Sequence, residues 1–305
     1  MILNNAVKQK ITDALKADFE SKKATYKSQA KYGTSIGIHS STITNVLKEN
    51  WKIGQQLLSN DKWIEVAHAI NYNLLSEQKW YTAKTKTVVE IWEKIDFARA
   101  HYESIVICDK YGIGKTEAIE SYNVEHDFTY LIDDTREIGT KSLFIKELAR
   151  VTGAGMHGTM IEKAQRAVSI IKSQAVHKPV LIIDEAGDMN NTTIEWLKKL
   201  INQTKGCMAL VLVGSDGLRS KIERGEKRGA NGFGELFSRL GERYLEYLPK
   251  EPNAATKYMK RQTVLVCRAN GVTEKSVIAK IIEIGGDMRR VKREILKHKK
   301  EVLVP

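Results

Sequence analysis

Apolar residues recur at helical spacing through the first 75 positions, with Ile11, Leu15 and Phe19 on one face of the opening stretch. The segment from Tyr26 to Asn50, YKSQAKYGTSIGIHSSTITNVLKEN, divides into two short helical patterns around a glycine. Tyr32 and Ile36 fall inward on the first and Gly37 permits a tight turn. Ser40 or Ser41 then caps a second helix carrying Ile43, Val46 and Leu47 inward. This predicts a helix-turn-helix within a small all-α domain over residues 1–76. Ser41, Thr42, Thr44 and Asn45 are expected on the outward face, where short polar side chains reach phosphates and base edges. Lys27, Lys31 and Lys48 stand ready for phosphates. A helical docking domain would carry the same pattern. Gly33, inside the first helix, costs about 1 kcal/mol relative to Ala unless close helix contact requires it.

Residues 77–87, EQKWYTAKTKT, are polar, have no sustained period and predict a linker. Val88, Val89, Ile91, Trp92, Ile95 and Phe97 then recur on one helical face and open a second domain. Beyond them, short apolar runs alternate with longer helical patterns: SIVIC (104–108), FTYLI (128–132), PVLII (179–183), MALVLV (208–213) and RYLEY (243–247). Such alternation predicts an α/β core over 88–248 with a mainly parallel sheet. One intervening helix is expected to face inward with Met160, Ile161, Ala164, Val168, Ile171 and Ala175. After Pro249 and Pro252 the strand pattern stops, and 249–305 reads as basic helices in three pieces, broken near Gly271 and Gly285-Gly286.

At 305 residues, 42% hydrophobic and 28% charged, the chain has room for two domains and a sizeable core, which excludes wholesale disorder. No window approaches a membrane span and the start lacks the order of a secretory signal, so a soluble protein of the bacterial cytoplasm is expected. Cys108, Cys207 and Cys267 are far apart and without partners at metal-ligand spacing, and read as reduced buried thiols. The net charge of +12 is unevenly placed. Residues 1–76 hold 10 Lys/Arg against 6 Asp/Glu, 77–248 hold 25 of each, and 249–305 hold 14 against 6. Basic flanks around a neutral centre suit a polyanionic partner, nucleic acid before membrane.

The neutral centre carries the chemistry. SIVICDKYGIGKTEAIE sets a buried strand, then a glycine-containing loop, then a helix, which is a phosphate-binding loop in its proper context. Gly112, Ile113 and Gly114 let backbone N–H groups converge on a phosphate. Lys115 reaches the β- and γ-phosphates, Thr116 offers a hydroxyl to Mg²⁺, and Glu117 follows at the helix start. Asp109 stands where this loop usually has glycine, and its carboxylate must point away from the nucleotide if the loop is to bind one. Farther on, VLIIDE ends an apolar strand in two carboxylates, Asp184 to hold the hydrated Mg²⁺ and Glu185 to polarise the attacking water. ATP and Mg²⁺ are the expected cofactors.

IVICDKYGIGKTEA, PVLIIDEAGDM, LVLVGSDGLRS, ELFSRLGER and the late GDMR together resemble the plan of AAA+ ATPases, in particular the MuB/TnsC-like target-selection ATPases of transposition. The resemblance implies a P-loop AAA+ parallel-sheet core with a helical C-terminal lid. It implies a first sensor at Ser215, where Asn or Thr is more usual, a second sensor at Arg289, and an arginine finger at Arg239, with Arg243 as second choice. A finger acts on a neighbouring subunit's nucleotide; an ordinary surface ion pair is the alternative for either arginine. The implied function is ATP-dependent assembly as a helical filament on double-stranded DNA, largely independent of sequence, and delivery of that DNA to a transposase. Thr135, Arg136 and Lys141 after the second strand are candidate DNA contacts, as is the basic stretch 219–228, which would equally suit a surface loop. The basic C-terminal helices are the candidate transposase surface. Two rivals share most motifs: a helicase loader, which would bind a replicative helicase, and a nucleotide-gated transcription regulator, which would bind one operator tightly.

Overall fold

The computed structural model describes residues 5–53, 56–72, 80–133 and 138–303. The N-terminal body comprises α1 (Asn5–Ser21), α2 (Lys23–Tyr26), α3 (Gln29–Ser35), α4 (Ser40–Leu47) and α5 (Asn60–Ala69). A two-residue antiparallel ladder, β1 (Lys52–Ile53) with β2 (Gln56–Leu57), interrupts them, so this body is not all-α. Ile11, Leu15, Tyr32, Ile43, Val46 and Trp63 form its core. Gly37 makes the turn between α3 and α4 with φ +78°. Gly33 is required by close contact, since a Cβ there would lie 3.0 Å from both the Ile38 carbonyl and the Ile43 side chain. His39, rather than Ser40 or Ser41, caps α4, its Nδ1 accepting from the Ser41 N–H at 3.3 Å. Thr42 is only 2% exposed, which corrects its expected outward placement: it lies on the same helical side as Ile43 and Val46. Ser41 is exposed and Thr44 and Asn45 half-buried.

This body is docked on the core. Tyr26 donates its hydroxyl to the Val151 carbonyl at 3.1 Å, Thr25 Oγ1 accepts from the Phe128 N–H at 2.8 Å, and buried Arg150 donates to the Ser35 carbonyl.

The core contains α6 (Lys86–His101), β3 (Ser104–Cys108), α7 (Lys115–Glu125), β4 (Thr129–Ile132), α8 (Lys141–Val151) and α9 (Met160–Ser173). It continues through β5 (Val180–Ile183), α10 (Asn191–Gln203), β6 (Ala209–Gly214), α11 (Asp216–Lys227), α12 (Phe233–Arg239) and β7 (Tyr244–Leu245). The strands form one parallel sheet in the order β4-β5-β6-β3-β7. Alternation along them splits the apolar residues into two layers. Val106, Tyr130, Leu181 and Leu210 pack against α8 to α12, while Ile107, Ile182, Val211 and Val213 pack against α6 and α7. Three helical expectations need correction. Val89 and Phe97 are exposed on α6, whose buried stripe is Val88, Ile91, Ile95 and Ala98. Ile161 is 70% exposed, and α9 turns inward with Ala167, Val168 and Ile171. The stretch 219–228 lies almost wholly within α11, because Leu218, Ile222 and Gly225 bury one side of it; a Cβ on Gly225 would fall 2.3 Å from the Phe233 ring.

The three C-terminal pieces are α13 (Pro252–Ala269), α14 (Lys275–Ile284) and α15 (Met288–Leu303). Val266, Cys267, Ile278, Ile281, Val291 and Ile295 form their small core, joined by Ala83 from the expected linker. Residues 80–85 are therefore packed against the lid, tied to it by Asn270, which donates to the Tyr81 carbonyl at 2.9 Å and accepts from its N–H at 3.0 Å. All three cysteines are free, with Cys207 half-buried where a buried thiol was expected. No helix among the described residues is long and apolar enough to cross a membrane.

Candidate functional site

The C-terminal end of β3 opens into the loop 109–114, and α7 begins at Lys115. Gly112 and Gly114 take φ of +74° and +100°, which L side chains adopt at a cost, so the loop needs glycine there. Lys115 folds back so that Nζ donates to the Asp109 and Lys110 carbonyls, each at 2.8 Å. Burial lowers its pKa, while Asp109, Asp184 and Glu185 act in the opposite direction and help retain the proton. An ammonium at the start of a helix, beside the free N–H groups of its first turn, makes a site for phosphate anions.

Thr116 Oγ1 donates to Asp184 Oδ2 at 2.7 Å, joining the first turn of α7 to the end of β5. A hydroxyl and a carboxylate oxygen side by side are the hard donors that Mg²⁺ prefers. Among the described residues no group of three or more His, Cys, Asp or Glu gathers in metal-binding geometry. The donor set thus fits an ion held chiefly by phosphates and water, with one or two protein oxygens. Glu185 follows in a left-handed conformation, φ +43°.

β6 lies between β3 and β5, so the residue after its end, Ser215, is delivered between the phosphate loop and the carboxylate pair. Gly112, Lys115, Thr116, Glu185, Ser215 and Arg289 line one cavity of about 300 Å³. Its other wall is apolar, from Trp80, Ala83, Val88, Val266 and Met288. The expected nucleotide residues and both sensor candidates are therefore together, with an apolar side available to a base.

Three features of the site depend on residues far away in the chain, and the first meets the condition placed on Asp109. The Asp109 carboxylate is buried and turned away from the cavity: Oδ2 accepts from the Tyr247 and Leu248 N–H groups at 2.6 and 2.9 Å, and Oδ1 from the Lys110 N–H at 2.7 Å. Glu117 accepts from Trp80 Nε1 at 3.1 Å and Thr82 Oγ1 at 2.5 Å, and lies 3.9 Å from Lys292 Nζ, which sits 4.8 Å from the Trp80 ring centre. Glu117 is thus a clasp between α7, the 80–85 segment and α15. The lid also reaches the loop directly, with the Met288 N–H donating to the Gly112 carbonyl at 2.7 Å. A lone tryptophan in a polar stretch was the available sequence signal for Trp80.

Arg239 lies at the opposite end of the sheet, near the starts of β3 and β6, in a cleft lined by Glu103, Ser104 and Met208. It donates to Asn202 Oδ1 at 3.0 Å and to the Glu235 carbonyl at 2.9 Å. With a strand of about 16 Å between them, Arg239 does not reach its own chain's phosphate loop. Arg243 is exposed just before β7, and Arg289 is exposed at the start of α15 on the rim of the cavity. Lys141 is exposed at the first turn of α8. Thr135 and Arg136 fall outside the described residues. Within 219–228, Arg219 pairs with Glu246, donates to the Cys108 carbonyl at 3.4 Å and stacks over the Tyr244 ring at 4.9 Å. Lys221 donates to the Gly187 carbonyl at 2.6 Å. Both side chains are committed to the fold, which corrects their assignment to a DNA-contacting loop.

Residues 98–222 match the family described as AAA domain, in agreement with the strand–loop–helix geometry. The chain is similar to a protein of Escherichia phage Mu named ATP-dependent target DNA activator B, 27% identical over 92% of this chain and 84% of that one. It is also 22% identical to the Mu-like prophage FluMu DNA transposition protein B of Haemophilus influenzae, over 95% of this chain and 93% of that one. Among solved structures, Cdc6p from Pyrobaculum aerophilum shares the fold, with a TM-score of 0.50 at 15% identity over 70% of this chain and 58% of that one. Residues 98–222 thus resemble an AAA domain, in a chain similar along most of its length to the phage Mu activator.

Proposed function

We propose that this chain is an AAA+ protein that hydrolyses ATP, assembles as a helical filament on double-stranded DNA with little regard to sequence, and in the bacterial cytoplasm delivers that DNA to a transposase and activates it. The observation that carries the proposal is whole-chain similarity to proteins named for ATP-dependent target activation and DNA transposition, on a core where Lys115, Thr116 and Glu185 line one cavity and Thr116 bonds Asp184.

Lys115 and the N–H groups of 112–116 hold the β- and γ-phosphates. Thr116 and Asp184 supply protein oxygens to Mg²⁺, which when bound neutralises charge developing on the phosphoryl group. Glu185 takes the proton from the attacking water, and Ser215 helps hold that water in line. Arg289 reports the γ-phosphate to the lid. Arg239, or failing it Arg243, completes the site of the next subunit, which makes hydrolysis depend on assembly.

DNA contacts fall to the helix-turn-helix through Ser41, Thr44 and Asn45, and to Lys141 with Thr135 and Arg136. Thr42 is withdrawn from that set because it is buried. The test is electron microscopy of the protein on a long duplex of unbiased sequence, with ATP, with a non-hydrolysable analogue and without nucleotide. Continuous nucleotide-dependent filaments are expected; isolated particles or short closed rings would overturn the filament and favour a loader or regulator.

A further inference from the structure

Asp109 is the one departure from the usual phosphate-loop pattern, and its surroundings form a built arrangement rather than a tolerated exception. Its carboxylate is 6% exposed and is bonded to three backbone N–H groups, one on the loop and two on the segment between β7 and the lid. The same two segments are joined a second time. Arg219, on the helix after Ser215, donates to the carbonyl of Cys108 and pairs with Glu246, the residues immediately before Asp109 and Tyr247. Glu246 also lies 3.3 Å from the Nζ of Lys250, two residues before α13. The peptide that Asp109 fixes through Lys110 is the one whose flanking carbonyls hold the Lys115 ammonium.

We infer that Asp109 is a positioning residue which, with Arg219 and Glu246, buckles the entrance of the phosphate loop to the strap leading into the lid. It thereby sets Lys115 for phosphate and transmits nucleotide occupancy to α13. The inference rests on the nucleotide-binding role proposed above and adds to it a route of coupling. The chemistry demands a carboxylate: three donors converge on two oxygens, so an amide in either orientation sets an NH₂ against N–H groups, and glycine leaves all three without the carboxylate.

The experiment compares the full-length wild type with Asp109→Gly, which restores the usual loop residue, and Asp109→Asn, which keeps the volume, after melting curves establish that each is folded. ATP is titrated calorimetrically, and hydrogen–deuterium exchange is followed over residues 244–269 with and without ATP. In the wild type ATP slows exchange there. In both variants ATP binding is expected to weaken about tenfold, the worth of a charge-assisted hydrogen bond, and the ATP-induced slowing to disappear. Should Asp109→Gly fail to fold, Asp109→Asn and Glu246→Gln, which weakens the second tie, carry the comparison. Variants that bind ATP as tightly as the wild type, with the same slowing over 244–269, would overturn the buckle. A wild type that does not bind ATP would instead overturn the nucleotide role itself.

Discussion

The carbonyl of Gly112 accepts a hydrogen bond from the N–H of Met288 at 2.7 Å, so the phosphate loop and the first turn of the lid's last helix share a backbone contact. Asp287 presses against the same glycine: a Cβ on Gly112 would lie 2.0 Å from the Cβ of Asp287. Gly112→Ala must therefore both adopt an unfavourable φ, costing about 1–2 kcal/mol, and push the lid away. Melting should fall by several degrees and ATP binding should be lost. Adding Asp287→Gly should recover part of both, since it removes the clash and leaves the backbone strain.

Lys115→Ala should abolish ATP binding and with it any ATP-dependent assembly on DNA, measured by nucleotide titration and imaging. Glu185→Gln should bind ATP normally and hydrolyse it at least about a hundredfold more slowly, the usual worth of a general base. Phosphate release assays check this; normal turnover would remove Glu185 from the role.

Raising the pH should separate stability from ligand affinity at Lys115. Burial lowers its pKa below the ordinary lysine value of 10.5. Between the lowered value and 10.5 the unfolded chain binds the proton that the folded chain has lost, so this residue's contribution to stability rises with pH there. ATP affinity should fall across the same window as the ammonium needed for phosphate is lost. Parallel melting and ATP titrations over alkaline pH, with Lys115→Met as the reference, test the opposite slopes.

Trp80 should report nucleotide. Its indole N–H is bonded to Glu117 and its ring lies beneath Lys292, all at the cavity edge. ATP should change the tryptophan fluorescence of the wild type and leave Trp80→Phe unresponsive. Lys292→Ala should weaken ATP binding by about two- to fivefold, in line with a partly exposed cation–π contact.

Arg150→Ala should loosen the N-terminal body from the core. The Ser35 carbonyl would lose its buried donor, a loss of about 1–3 kcal/mol in docking. Hydrogen exchange over residues 29–47 should rise while exchange in the strands of the core stays unchanged.

Local physics made much of this protein legible. The phosphate loop, the Asp184–Glu185 strand end and the three lid helices are each specified by contiguous residues whose spacing carries their meaning. What was left open or missed depended on partners far away in the chain. The direction of Asp109 is decided by the amides of Tyr247 and Leu248, and the packing of residues 80–85 by Asn270 and Glu117. Likewise, 219–228 reads as a polar basic loop until Phe233 is seen against Gly225 and Glu246 against Arg219. The capping role of His39 escaped because serines beside it are better cap formers by type, although the ring nitrogen is the acceptor that the backbone meets.

The separation of Arg239 from the phosphate loop has a consequence for ends. The C-terminal ends of the strands present the cavity and their N-terminal ends lie by the arginine, so if Arg239 serves the next subunit, as proposed, the subunits must stack in a single direction. Such a stack has polarity: at one terminus a bound nucleotide has no arginine supplied to it, and at the other an arginine has no nucleotide to serve. The two termini should therefore age differently, the first retaining its ATP while interior sites fire, so that shortening starts from a chemically defined side.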